Sequence, residues 1–176
     1  MAHPQQSAVR NRLLKAFPSE DFARMAPHLQ PTDLPMQEPL IRSGEAVAHL
    51  YFPEDGICSI TASGSDGRVE VGMVGREGVV GVVPVLTGGG QVPHDHFVQV
   101  PGLAHRIGAG PLCAAIEESD PLRRLLLRYL HVEVVQVRQT AFANASFTIE
   151  ARLARWLLMC HDRLDGDDVL IKHEFL

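Results

Sequence analysis

Apolar positions along the chain fall into three textures. Leu13, Leu14 and Phe17, then Phe22, Met25, Ala26 and Leu29, recur at three- and four-residue spacings, which predicts two short opening helices with Ser19 placed to cap the second. From Gln30 to Ile107 brief apolar stretches are cut by Ser43-Gly44-Glu45, Asp55-Gly56, Ser65-Asp66-Gly67 and Gly88-Gly89-Gly90, the punctuation of many short antiparallel strands. The clearest hairpin is Ile57 to Val74, where two alternating runs flank Asp66-Gly67, a dipeptide suited to a tight turn. Turns spaced at roughly 8 to 12 residues predict a small barrel or jelly roll. Beyond Ala109 the Gly and Pro signals thin out, and Pro121 opens a long helix that reaches at least Ala143.

That helix carries two apolar stripes. Leu127, Leu130, Val134, Val137 and Ala141 alternate by three and four, the period of a two-stranded helical seam, while Leu122, Leu125, Tyr129 and Val132 are expected to pack on the chain's own strands. A helix with two apolar faces needs two partners, so the first stripe predicts a homodimer; the competing arrangement buries both stripes in one monomeric core. Asn144 to Thr148 is rich in residues that cap or break helices and predicts a hinge near Ser146. A further amphipathic stretch follows, with Ile149, Leu153, Trp156, Leu157 and Cys160 on one side. Asp165-Gly166-Asp167-Asp168 makes a solvated turn, and the final Phe175-Leu176 pair leaves the expectation of a longer polypeptide. The fold class expected is α+β: N-terminal helices over 1–29, an antiparallel β-roll over 30–118, a dimerisation helix over 119–147, and a further helix with the start of another domain over 148–176.

Composition narrows the function. With 176 residues, 45% hydrophobic and 21% charged, the chain is an ordinary globular domain with an appendage, which excludes disordered, collagenous and rod-like readings. A formal charge of -5 repels polyanions and argues against DNA binding by these residues alone. Cys58, Cys113 and Cys160 are odd in number and widely spaced, which fits reduced thiols and offers no cluster of ligands. Neither a secretory leader nor a run of about 18 apolar residues is visible, so a cytoplasmic protein without membrane contact is expected, and no cofactor is implied.

Three stretches resemble the Crp/Fnr family of bacterial transcription factors, the cAMP receptor protein and fumarate-nitrate reductase regulators. Leu40 to Glu45, continuing through His49-Leu50-Tyr51-Phe52 to Gly56-Ile57, is similar to that family's early strand, Gly-Glu turn and Tyr strand. Val74 to Gly81 looks like the glycine-bearing short helix of its phosphate-binding cassette, and Glu150 to Leu158 like the helix leading into its winged helix-turn-helix. The resemblance implies a cyclic-nucleotide-binding β-roll, a long dimerisation helix, and a DNA-reading domain starting around 169–176 through which alone DNA would be touched. It also implies a small anionic or nucleotide effector bound by Gly75, Arg76, Glu77, Gly78, Val79, Val80 and Gly81, with His94, Asp95, Val137 and Arg138 around it.

Glycine lets backbone approach an anion, and amides at a helix start point toward it; a tight strand-to-helix connection explains the same glycines without a ligand. The sequence departs from the cAMP-binding pattern at four contacts. His94 and Asp95 stand where the family has an Arg-Ser pair, Arg76 or Val79 where it has the ribose-binding glutamate, and Val137 and Arg138 where a Thr-Ser pair meets adenine. A carboxylate about 4 Å from a phosphate costs on the order of 4 kcal/mol at an effective dielectric of 20, so weak or absent cAMP binding is expected. A different class of function starts from Pro93-His94-Asp95-His96: His94 and His96, with His105, would supply three imidazoles to a cupin-like metalloenzyme. Haem sensing finds no fixed axial ligand, and the family's N-terminal cysteine group for an iron-sulfur cluster has no counterpart before Cys58.

Overall fold

A computed structural model of the chain describes residues 3–65 and 67–169. The predicted opening helices are α1 (Arg12–Ala16) and α2 (Ser19–Met25), followed by a 3-10 turn at Ala26–His28. Ser19 is the first residue of α2 and Pro18 its cap, so the cap falls one position earlier than expected. Among the described residues seven strands follow: β1 (Gln30–Leu34), β2 (Pro39–Ile41), β3 (His49–Pro53), β4 (Ile57–Gly64), β5 (Gly67–Val74), β6 (Asp95–Val100) and β7 (Gly102–Gly108), with the short helix α3 (Val82–Leu86) between β5 and β6. The strand span gives way to helix α4 (Ala109–Glu118), α5 (Asp120–Ser146) and α6 (Ile149–His161).

All pairings are antiparallel and make two sheets, β1-β7-β3 and β2-β6-β4-β5. The predicted hairpin is β4–β5, pairing Cys58 with Val74 through to Gly64 with Gly67; Asp66 of its turn lies outside the described residues. Period-two alternation divides the side chains of the four-stranded sheet between two faces. Cys58, Ile60, Val74 and Val98 point into the roll and meet Leu34, Ile41 and Ala104 there. Ser59, Thr61, Phe97 and Gln99 point the other way, toward α6.

The helices close the outer faces. Leu13, Leu14, Phe17, Phe22, Met25, Leu112, Leu122 and Leu126 pack with Leu50, Phe52 and Ile107 of the three-stranded sheet. On the far side Cys160 and Leu164 cover Ile57, Met73 and Val100. Burial pushes the Cys58 and Cys160 thiols up to about 12, which keeps both protonated and unreactive. Asn11, wholly buried, ties the N-terminal layer down: its side chain caps α1 at Leu14 N–H and donates to the carbonyls of Pro53 and Gly78, each at 2.9 Å.

α5 starts where Ser119 accepts from Leu122 N–H and donates to buried Asp21 at 2.7 Å, which anchors the helix to α2. Its inward stripe is Leu122, Leu126, Tyr129, Glu133, Gln136, Thr140 and Ala143. The expected inward stripe is thus corrected at its end: Val132 is 61% exposed, because its inward slot belongs to Glu133, one residue (100° of helix) on. The predicted break falls just past Ser146, where Phe147 and Thr148 are extended and the Thr148 hydroxyl caps α6 by accepting from Ala151 N–H. The end of the chain, Phe175-Leu176 and most of the expected start of a further domain at 169–176, lies outside the described residues.

Candidate functional site

The glycine segment does not have the form predicted for it. The short helix α3 begins at Val82, after all three glycines, and Gly75 to Gly78 form a turn closed by Gly78 N–H donating to Gly75 carbonyl. Each glycine leaves room for a neighbour: a Cβ on Gly78 would lie 2.6 Å from Cε2 of Tyr129, one on Gly75 2.8 Å from Cγ of Arg163, and one on Gly81 2.8 Å from Cδ1 of Ile41. Gly81 also holds a left-handed φ of 90°, which turns the chain into α3.

Protein groups already occupy much of the loop's hydrogen-bonding capacity. Gly75 N–H donates to Glu77 Oε1, and Val80 exchanges both backbone bonds with Tyr51 of β3. Arg12 N–H donates to Arg76 carbonyl, and the Arg76 guanidinium pairs with Asp165 at 2.5 Å. Tyr129 donates its hydroxyl toward Val79 carbonyl and Glu133, with burial raising the phenol well above its ordinary range. Burial likewise lifts the Glu133 carboxyl to about 7.

Arg163, just past α6, joins this loop to both long helices. Its Nε donates to Glu77 Oε1 at 2.8 Å, one terminal nitrogen to Gln136 Oε1 at 2.7 Å and the other to Met159 carbonyl at 2.7 Å. Gln136 in turn donates to Met73 carbonyl of β5. The state of the loop is thereby coupled to the positions of α5 and α6.

The remaining predicted contacts have other neighbours. Asp95 opens β6 and accepts from Ser43 N–H at 2.8 Å, with half-buried His94 just before it. Val137 reaches over Gly72 of β5, and Arg138 is exposed. The contact from α5 to the glycine loop is made by Tyr129 instead.

The three-imidazole alternative is corrected as well. His96 is buried in the four-stranded sheet, where desolvation lowers its pKa to about 4, whereas His105 lies in the three-stranded sheet 3.7 Å from Glu54. Among the described residues no three His, Cys, Asp or Glu side chains gather as metal ligands.

Sequence reasoning missed a second locus. The outward face of β4, β5 and β6, the last turns of α5 and one side of α6 enclose a groove of about 650 Å³. On its floor Glu70 accepts from Ser59 Oγ at 2.7 Å, Gln99 Nε2 at 3.0 Å and Trp156 Nε1 at 2.8 Å. Burial raises the Glu70 carboxyl pKa, and these three hydrogen bonds oppose the rise. Polar Ser59, Thr61 and Gln99 at every second strand position were the available signal, since an outward strand face with buried polar groups needs a cover.

No family model matches the chain, and no curated protein matches it. Solved structures do. CLP, the c-di-GMP responsive global regulator of Xanthomonas campestris, is matched over 81% of this chain and 72% of its own, with a TM-score of 0.66 at 16% identity. FixK2 from Bradyrhizobium japonicum gives 0.68 at 16% identity over 78% and 68%, and the sensor domain of the transcriptional regulator DNR from Pseudomonas aeruginosa 0.57 at 14% over 78% and 89%. These likenesses concern the fold: the two antiparallel sheets and the long helix α5 of this protein form a cyclic-nucleotide-binding-like β-roll, the fold of the solved structures it matches.

Proposed function

We propose that the chain is the sensory and dimerisation part of a Crp/Fnr-type transcriptional regulator. The observation that carries this is the outer stripe of α5. Leu127, Val134 and Val137 are large, apolar and exposed, Ala141 is exposed beside them and Leu130 is half-buried, on a helix whose opposite face is seated on the roll. A contiguous apolar stripe at heptad spacing is stable in water when a second copy covers it. In this reading α6 leads into a DNA-reading domain, and the extended pair Phe147-Thr148 lets its angle to α5 change.

Light scattering at tens of micromolar protein tests the pairing. A mass twice that of the chain is expected, and a monomer overturns the reading. Gel shift with the full-length protein tests the gene-control half, which fails if no promoter DNA is retained.

Cyclic AMP is not the effector in this reading. Tyr129 fills the space beside Gly78, and the carboxylates of Glu77 and Glu133 stand next to the loop that would have to hold a phosphate. Isothermal titration with cAMP at neutral pH is expected to show no micromolar binding. A molecule sensed at the loop would act through Arg163, because that side chain reports on Glu77 to both α5 and α6.

A further inference from the structure

Arg68 from β5 and Arg152 and Arg155 from α6 all line the groove over Glu70. None of the three pairs with a carboxylate among the described residues, although the chain carries five more acidic than basic side chains. Three guanidinium groups from two elements sharing one concavity repel one another, an arrangement that an anion between them relieves. The walls are of another kind: Phe97, Trp156, Met159, Ile149 and Leu153 give the groove an apolar and aromatic lining. Arg68 stands 4.7 Å over the ring of Phe97, which joins the charged rim to that lining.

Glu70, the one acidic group in the lining among the described residues, is engaged from below by Ser59 and Gln99 and at the side by Trp156. Its role is to fix the indole in the wall. The volume, about 650 Å³, is in the range of small-molecule sites.

We infer that this groove is a binding site for a small aromatic anion, its ring held among Phe97, Trp156 and Leu153 and its phosphate or carboxylate by Arg68, Arg152 and Arg155. Such a ligand touches β5 and α6 at once and stabilises the seating of α6 on the sheet. The inference goes beyond the regulator reading and stands apart from it, since the groove binds whether or not the chain controls genes.

1-Naphthyl phosphate is the probe. Isothermal titration of the whole chain gives its affinity, and the emission of Trp156, the only tryptophan, reports where it sits. Saturable binding of one molecule per chain with a change in Trp156 emission is expected. Inorganic phosphate alone and 1-naphthol alone should each bind at least roughly tenfold more weakly, because each lacks half of the recognition. 1-Naphthoate separates a preference for carboxylate from one for phosphate.

Arg155→Gln and Arg68→Gln should each weaken binding of the naphthyl phosphate by roughly tenfold or more, while Arg42→Gln, outside the groove, leaves it unchanged. Circular dichroism checks that each variant is folded. Equal binding by the Arg155→Gln, Arg68→Gln and parent chains, or equal binding of 1-naphthol and its phosphate, overturns the inference as mere adhesion to apolar surface. Trp156 emission that responds to protein concentration and not to the probe also overturns it, by showing that a second copy fills the groove.

Discussion

His96 is buried and Glu133 half-buried, and the loss of water around these two titratable side chains makes stability depend on pH in opposite directions. The His96 value of about 4 lies below the ordinary 6.5, so between those pH values the unfolded chain binds a proton that the folded chain refuses. Stability should fall by up to about 3 kcal/mol as pH drops across that window. The Glu133 value of about 7 lies above the ordinary 4.5, so the folded chain keeps a proton that the unfolded chain has lost, and stability falls by a similar amount as pH rises from 4.5 to 7. The two slopes cancel in the parent protein between about pH 5 and 6. Urea midpoints measured across pH should therefore rise with pH in Glu133→Gln and fall with pH in His96→Gln; slopes of the same sign in both variants would refute the assignment. Gly78→Ala should cost about 1 to 3 kcal/mol by driving a methyl into Tyr129. In a Tyr129→Ala background most of that cost should vanish, a coupling that denaturation of the double variant measures. The glycines were legible as positions where something comes close; that the visitor is a tyrosine or an arginine was not, because residues 51 and 88 positions away in sequence leave no local trace.

Besides the apolar packing of Cys160 and Leu164, helix α6 is held by two unlike polar attachments, Trp156 on Glu70 and Arg163 on Glu77 and Gln136. Replacing Arg163 with Met removes three hydrogen bonds and leaves Glu77 without its cation, which should loosen α6 by about 2 to 3 kcal/mol. Faster amide exchange in α6 with unchanged protection in β4 checks this, and uniform acceleration everywhere counts against it. Periodicity made the elements themselves readable: the two opening helices, the β4–β5 hairpin, the long helix and its break near Ser146 all stand in the structure. The phase of α5 was misread where polar side chains face inward, because a search for apolar stripes passes over Glu133, Gln136 and Thr140 and takes exposed Val132 instead. Helix α4 escaped notice because glycine and proline in its first turn, Ala109-Gly110-Pro111, read as a continued loop.

At the scale of the whole molecule the two faces of α5 separate folding from the pairing proposed for it. Val134 is 43% exposed and no part of the chain's own core, so Val134→Glu should leave the thermal transition of the monomer fold in place while abolishing any dimer, which sedimentation would show. Loss of both together would mean that neither copy folds without the other. The order of synthesis adds a last consequence, through Asn11. Its amide nitrogen bonds to carbonyls 42 and 67 positions downstream, so α1 has to wait for β3 and the glycine turn before it gains a permanent seat. Refolding followed residue by residue should accordingly show the amino end acquiring protection late, and an Asn11→Ala chain should unfold from that end first.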